Sequence, residues 1–386
     1  MKRIMKLLIV GDAVDEFLCG FAEELSIFQP GVVIDVLNIN DKTSSNLQAK
    51  NNPFFRKVYT YSPDIYFLKH IPKLRGIAYF LLRKAEDLKI KENYDAVLLF
   101  GLWPKSIIFF KSNFKKFRYV VGAIMGSDLL NNQSYRDYNG WLFTIGSCHK
   151  IIVGNPQLKD KLISEKLVPP DKIELAYYGS RVMELINDLP YTNQEAKRLF
   201  RFPEDKIVIT CGYNAKSTQQ HLLFIEEIKK IQTDKSRVLL VFPLTYGREE
   251  NYLNQLRDAV RTSGFEYVLI EDFLSAERVA ILRKATDIFV HIQQTDAFSG
   301  SMQESLLSGN IVINGAWLPY KELKDRGVKF LEISKVSEIP SLIDNIIRNP
   351  DEYREKYVTS NTQEKFQTAL WKNNISTWYK ILSGEN

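Results

Sequence analysis

IFVHIQQTDAFSGSMQESLLSGNIVING, Ile288 to Gly315, decides the fold. Ile288 to His291 is a short apolar run of strand length. A helix is expected near Ser301 to Ser308, stopped by Gly309, and a second apolar run, Ile311 to Asn314, follows at once. Strand, helix and strand joined so closely read as one unit of a parallel sheet. Outward from it the same pattern recurs. Ile207 to Cys211, Val238 to Val241 and Tyr267 to Ile270 are strands, with helical stripes through Phe224, Ile225, Ile228 and Ile231, through Leu253, Leu256 and Val260, and through Val279 and Leu282.

The first half of the chain repeats the theme. Leu7 to Val10 is a buried strand, and Val14, Phe17, Leu18, Phe21 and Leu25 follow helical spacing. Further strands are expected at Val32 to Val36, Ala96 to Phe100, Tyr119 to Ile124, Ile151 to Val153 and Ile173 to Tyr177. The fold class is therefore α/β: two tandem doubly wound, Rossmann-like domains, with strand-end loops facing a cleft. The expected organisation is a first domain over 1–186, a linker over 187–206, a second domain over 207–364, and a terminal helix over 365–386 that crosses back to the first domain. Trp371, Ile375, Trp378 and Ile381 give that helix its apolar stripe.

Composition bounds the function. With 386 residues, 45% hydrophobic and 25% charged, the chain buries a large core, which excludes disorder and disulfide scaffolds. Cys19, Cys148 and Cys211 are scattered and odd in number, as in a reducing compartment, and read as buried hydrophobes. The apolar run of MKRIMKLLIV ends at Gly11 and Asp12 without a cleavage site, and no stretch approaches the roughly 20 apolar residues of a membrane span. A cytoplasmic protein is expected, peripheral at most at the inner membrane face. The net charge of +6 favours anionic ligands, and no stacking-platform motif points to nucleic acid.

The chemistry concentrates in DAFSGSMQE. Ser299, Gly300 and Ser301 form a small turn opening a helix, whose free N–H groups and positive dipole end suit a diphosphate. Asp296 and Glu304 flank it, eight positions apart. This stretch resembles the ExxxxxxxE motif of glycosyltransferase family four, nucleotide-sugar enzymes of the GT-B fold, with aspartate in the first position. The resemblance implies that Asp296 lies beside the donor sugar and that Glu304 accepts the ribose hydroxyls.

Two other segments extend the likeness. CGYNAKSTQQH, Cys211 to His221, sits where the family loop meets the donor phosphates. Gly212 lets the backbone approach and Lys216 is the loop's cation, while Tyr213 and Asn214 stand where arginine is usual. Asn214 and His221 are expected on the donor side, His221 also reading as an aromatic core or cap residue. Together with FPLTYG, Phe242 to Gly247, this loop also resembles the acetamido-fucosyl transferase family, which inverts. The third segment, GAIMGSDLL, Gly122 to Leu130, resembles the WGSD-type strand end of family four. There Asp128 reads as general base or acceptor-orienting group, or else as a helix cap. Gly11 and Asp12 match the acceptor-side loop, and Phe273 or Leu274 the shelf for the nucleotide base.

No metal clamp or dinucleotide turn is encoded: no DxD occurs, the four histidines lack ligand spacing, and neither half carries GxGxxG with a downstream acid. No cofactor or metal is expected beyond a UDP, GDP or dTDP sugar as substrate. Residues 51–120 hold 14 Lys or Arg against 5 Asp or Glu. Ile71 to Leu88 reads as an amphipathic helix with a basic rim, and Phe109, Phe110, Phe114 and Phe117 interleave with Lys111, Lys115, Lys116 and Arg118, as at an anionic membrane surface or on an ordinary packed helix. The expectation is a bacterial-type glycosyltransferase acting on a lipid-linked glycan acceptor in surface polysaccharide synthesis, retention preferred over inversion. A nucleotide-sugar epimerase of the same fold and a non-catalytic glycan-binding partner are the alternatives.

Overall fold

A computed structural model describes residues 5–40, 43–60, 90–130, 138–296 and 298–385. The chain divides into two compact units, Met1–Gly179 with Trp371–Asn386, and Ser180–Leu370. The helix read over Ile71 to Leu88, with its basic rim, lies outside the described residues.

The first unit holds a seven-stranded sheet. Its strands are β1 (Lys6–Gly11), β2 (Val33–Asn38), β3 (Lys57–Thr60), β4 (Ala96–Phe100), β5 (Val120–Ile124), β6 (Lys150–Val153) and β7 (Ile173–Leu175), in the order β3-β2-β1-β4-β5-β6-β7. Every pairing is parallel. A central parallel strand is covered on both faces, which is why Leu7, Leu8, Ile9 and Val10 are all fully buried. Leu8 and Val10 join one apolar cluster and Leu7 and Ile9 the other.

The helix Trp371–Ser383 belongs to this unit and lies against the helix Glu16–Phe28. Trp371 and Trp378 are fully buried, their rings 5.5 and 5.2 Å from Phe21. Each such burial is worth about 2 to 3 kcal/mol. Gly20 makes the contact feasible, since a Cβ there would come within 2.8 Å of the Trp371 indole nitrogen.

The second unit repeats the design with six parallel strands: β8 (Ile207–Cys211), β9 (Val238–Pro243), β10 (Glu266–Ile270), β11 (Ile288–His291), β12 (Ile311–Gly315) and β13 (Leu331–Ile333), ordered β10-β9-β8-β11-β12-β13. The strand order reverses between β8 and β11. Loops leaving the carboxyl ends of those two strands diverge to opposite sides, which opens a crevice suited to a ligand.

The stretch 187–206, expected to be a linker, is built into this unit. Asn193–Phe200 is a helix opened by a capping box in which Thr192 and Glu195 satisfy each other's backbone N–H groups. It packs on the helix Ala276–Ala285, and Ala196 and Phe202 are buried. The change of unit falls at Gly179/Ser180 instead.

Candidate active site

The loop after β8 starts with Gly212 at φ +67, a left-handed conformation that favours glycine. Space demands it too: a Cβ would meet His221 Nε2 at 2.6 Å and Gln219 Oε1 at 2.8 Å. Asn214 is buried and its Oδ1 accepts the Lys216 N–H at 3.0 Å, so its side chain shapes the loop from within. Lys216 is exposed, its stem lying over Gly247, where a Cβ would approach Cγ to 2.9 Å.

His221 is fully buried beside Phe242 and Tyr252, and burial holds its imidazole down at about 3, hence neutral. Nδ1 pairs with the Tyr252 hydroxyl at 3.2 Å, whereas Nε2 has no partner among the described residues. It forms the floor beneath Gly212 and, being neutral, lends no positive charge to a phosphate; of its two expected roles, the placement is that of the aromatic core residue.

After β11 the chain turns into the helix Gly300–Leu307, with Ser299 as its N-cap residue. Phe298 sits at φ +70, strained for an aromatic residue, and its ring stacks on Tyr320 at 5.5 Å. Tyr320 ties the turn together. Its hydroxyl donates to Asp296 Oδ2 and accepts the Ser299 N–H at 3.0 Å. Burial foremost, then the Asp296 charge, pushes that hydroxyl far above the ordinary tyrosine value, so it stays a proton donor. Asp296 Oδ2 also lies 3.3 Å from His291 Nε2.

Glu304 does not face solvent. Its carboxylate is buried, with Oε1 accepting from Ser180 Oγ at 3.1 Å and Oε2 from Arg283 Nε at 3.2 Å. Arg283, on the helix Ala276–Ala285, also reaches Ser301 Oγ at 2.9 Å. One buried guanidinium therefore fixes both the glutamate and the first turn of the helix. A carboxylate offers about four lone-pair sites, and these two donors occupy two of them.

At the expected base shelf, Phe273 is 68% exposed, while Leu274 packs into the apolar cluster of Val241 and Ile281. Of the two alternatives, Phe273 presents the larger exposed surface for stacking. Nearby, Arg257 grips Glu271 through two hydrogen bonds of 3.0 and 2.7 Å and holds its carboxyl below the usual range.

In the first unit Gly11 closes β1, and Asp12 accepts from Val14 N at 3.2 Å and Asn40 Nδ2 at 2.9 Å. Asp128 departs from expectation. It is fully buried, with Oδ2 accepting Leu102 N at 2.7 Å and Oδ1 accepting Gly126 N at 2.9 Å. The carboxylate braces the ends of β4 and β5 instead of projecting toward an acceptor. Burial raises it to about 6 against the pull of its backbone donors. A carboxyl raised on folding contributes stability while protonated, and loses that contribution as pH climbs from the unfolded value to the folded one. In urea unfolding at about pH 5 and about pH 7.5, the advantage of wild type over Asp128→Asn is expected to shrink by roughly 1 kcal/mol at the higher pH. An advantage that grows with pH contradicts this account.

The aromatic and basic run is also partly internal. Phe109 and Phe110 are buried in the core, whereas Phe143 is 39% exposed and packs edge-on against Phe114 at 5.1 Å. Among the described residues no helix is long and apolar enough to cross a membrane, and no three His, Cys, Asp or Glu side chains are grouped to hold a metal ion.

Sequence reasoning missed His291, Gln293, Asn314, Tyr320 and Arg283. The one available signal was polar His291 and Gln293 alternating at the end of an otherwise apolar strand. Gln293 Oε1 accepts from Tyr213 OH at 3.1 Å and Gln219 Nε2 at 2.6 Å, joining the β8 loop to the β11 loop.

No protein-family model matches the chain, and no curated protein does. Solved structures do. HepE of Anabaena, in complex with UDP and glucose, is 15% identical with a TM-score of 0.71, over 98% of this chain and 100% of that one. Sucrose-phosphate synthase from Thermosynechococcus elongatus is 13% identical with a TM-score of 0.72, over 99% and 100%. UDP-GlcNAc 2-epimerase from Neisseria meningitidis, bound to UDP-GlcNAc, is 18% identical with a TM-score of 0.63, over 99% and 100%. At these identities the likeness is one of fold. The chain has the tandem parallel-sheet architecture of GT-B proteins.

Proposed function

We propose that this protein is a glycosyltransferase moving a sugar from a nucleotide-sugar donor, held by the second unit, to a glycan acceptor. One observation carries the reading. At the switch point between β8 and β11, the glycine loop with Lys216, the helix-opening turn Ser299 to Ser301 and Asp296 all leave adjacent strand ends. Unpaired N–H groups of the helix's first turn and the Lys216 ammonium would bind the diphosphate. Phe273 would stack on the base. Asp296 would stabilise positive charge on the sugar as its bond to the β-phosphate oxygen breaks, the electron pair leaving with the nucleoside diphosphate. The acceptor oxygen then bonds to the anomeric carbon and gives up its proton to the departing diphosphate, with same-face attack our first choice.

The motif Asp296 to Glu304 supports family four as the relationship, and the UDP and glucose in HepE bring UDP sugars to the front of the donor panel. The basic segment at Lys111, Lys115 and Lys116, beside Phe114 and Phe143, supports a lipid-linked acceptor at an anionic leaflet. An epimerase shares the fold, and the second reading is a nucleotide-sugar epimerase, which would convert its donor without an acceptor.

Calorimetry with UDP, GDP and dTDP sugars tests the donor site, and no binding to any of them removes it. Lys216→Ala is expected to weaken UDP binding about tenfold, with Lys216→Arg near wild type, since one charge-assisted hydrogen bond is worth about 1.5 kcal/mol. Unchanged affinity in the alanine variant would place the diphosphate elsewhere.

A further inference from the structure

His291 has a fixed proton geometry. Asn314 donates through Nδ2 to the Gly315 carbonyl at 2.9 Å, which turns its Oδ1 toward His291 Nδ1, also at 2.9 Å. Nδ1 therefore carries a proton. Nε2 then lies near Asp296 Oδ2 at 3.3 Å, an acceptor, Gln293 Nε2 at 3.4 Å, a donor whose orientation is set by the two bonds its Oε1 accepts, and the Ser299 hydroxyl at 3.5 Å, which can do either. With a proton on Nε2 the imidazole holds Asp296; without one, its lone pair faces that carboxylate and takes the Gln293 amide instead. The ring is buried, with Tyr213 and Phe289 stacked at 6.2 and 5.7 Å and Tyr320 edge-on at 5.5 Å.

We propose that His291, aligned by Asn314, is a positioning residue that shares a proton with Asp296 and so fixes the orientation of the sugar-side carboxylate. The titratable groups facing it are Asp296 and Tyr320, from the loops after β11 and β12, and Tyr213, from the loop after β8. The proposal rests on the reading of Asp296 given above.

Its test labels the full chain with ¹⁵N-histidine. Only four histidines are present, and His291→Gln assigns the signal. Nδ1 is expected to stay protonated throughout. The Nε2 titration midpoint should move down by about one pH unit or more in Asp296→Asn, and up in Tyr320→Phe, which removes a competing donor from Oδ2. A histidine that is merely packed responds to neither. A bare Nδ1, or a midpoint indifferent to both substitutions, overturns the proposal. So does His291→Gln with parental release of UDP from UDP-glucose, where a loss of about tenfold at unchanged UDP affinity is expected. Wild type that binds no UDP counts against the donor site itself, and the titration, read without ligand, keeps the two failures apart.

Discussion

Glu304→Ala is expected to lower the unfolding free energy by about 3 to 5 kcal/mol and to abolish measurable UDP binding. The first effect follows from Arg283, which is 3% exposed and would be left as an unpaired buried charge. Its Ser301 bond would remain, but a hydroxyl cannot replace a carboxylate as counter-ion. The second effect follows from the ribose contact that the family resemblance implies for Glu304, which would use the lone pairs that Ser180 and Arg283 do not occupy. A double variant, Glu304→Ala with Arg283→Met, separates them. Removing the orphaned cation should restore most of the stability, because an apolar replacement of a buried pair is often neutral. UDP affinity should stay lost. If affinity returns with stability, Glu304 acts only through Arg283 and Ser301, and the ribose assignment is wrong.

Most of the fold was legible because parallel strands buried on both faces are continuous apolar runs, as in Leu7 to Val10 and Ile288 to Val290. The strands that escaped were β3 and β13. They are edge strands of four and three residues, with exposed Lys57 and Glu332 breaking the apolar run, so little periodicity survives. The helix Asn193–Phe200 did carry a signal, Thr192 three positions before Glu195, which the polar, proline-containing surroundings masked.

The site was legible where it is local. Asp296, the Ser299 to Ser301 turn and Glu304 share one short stretch and are read as candidates together, whereas in the structure Asp296 turns to Tyr320 and His291 and Glu304 to Ser180 and Arg283. His291, Asn314, Tyr320 and Gln219 come from different strand ends, and only the order β8-β11-β12 assembles them. Asp128 shows the same limit from the other side. Its decisive partner, Leu102 N, lies 26 positions away at the end of a neighbouring strand, so sequence could not tell a brace from a solvent-facing base.

Asp296→Asn is expected to bind UDP within about threefold of wild type and to lose roughly 10²- to 10³-fold in turnover, measured as UDP released from the nucleotide sugar. The substitution is nearly isosteric, and Asn Oδ1 can still accept from Tyr320 and from the Ser299 N–H, which hold the turn in place. What disappears is the negative charge. A loss of that size corresponds to about 2.7 to 4 kcal/mol of transition-state stabilisation, as expected for a fixed charge opposite a sugar that becomes positive only as its phosphate leaves. In the ground state the sugar is neutral, so affinity should barely register the change. The contrast with Glu304 follows from placement: Glu304 is locked to a buried cation, and removing it disturbs fold and nucleotide together, whereas Asp296 rests among neutral hydroxyl and amide donors and one imidazole. Parental turnover in Asp296→Asn would move the sugar away from this carboxylate. An equal loss of UDP affinity and turnover would mean instead that Asp296 secures the phosphate-binding turn through Ser299 and Tyr320, and takes no part in stabilising charge on the sugar.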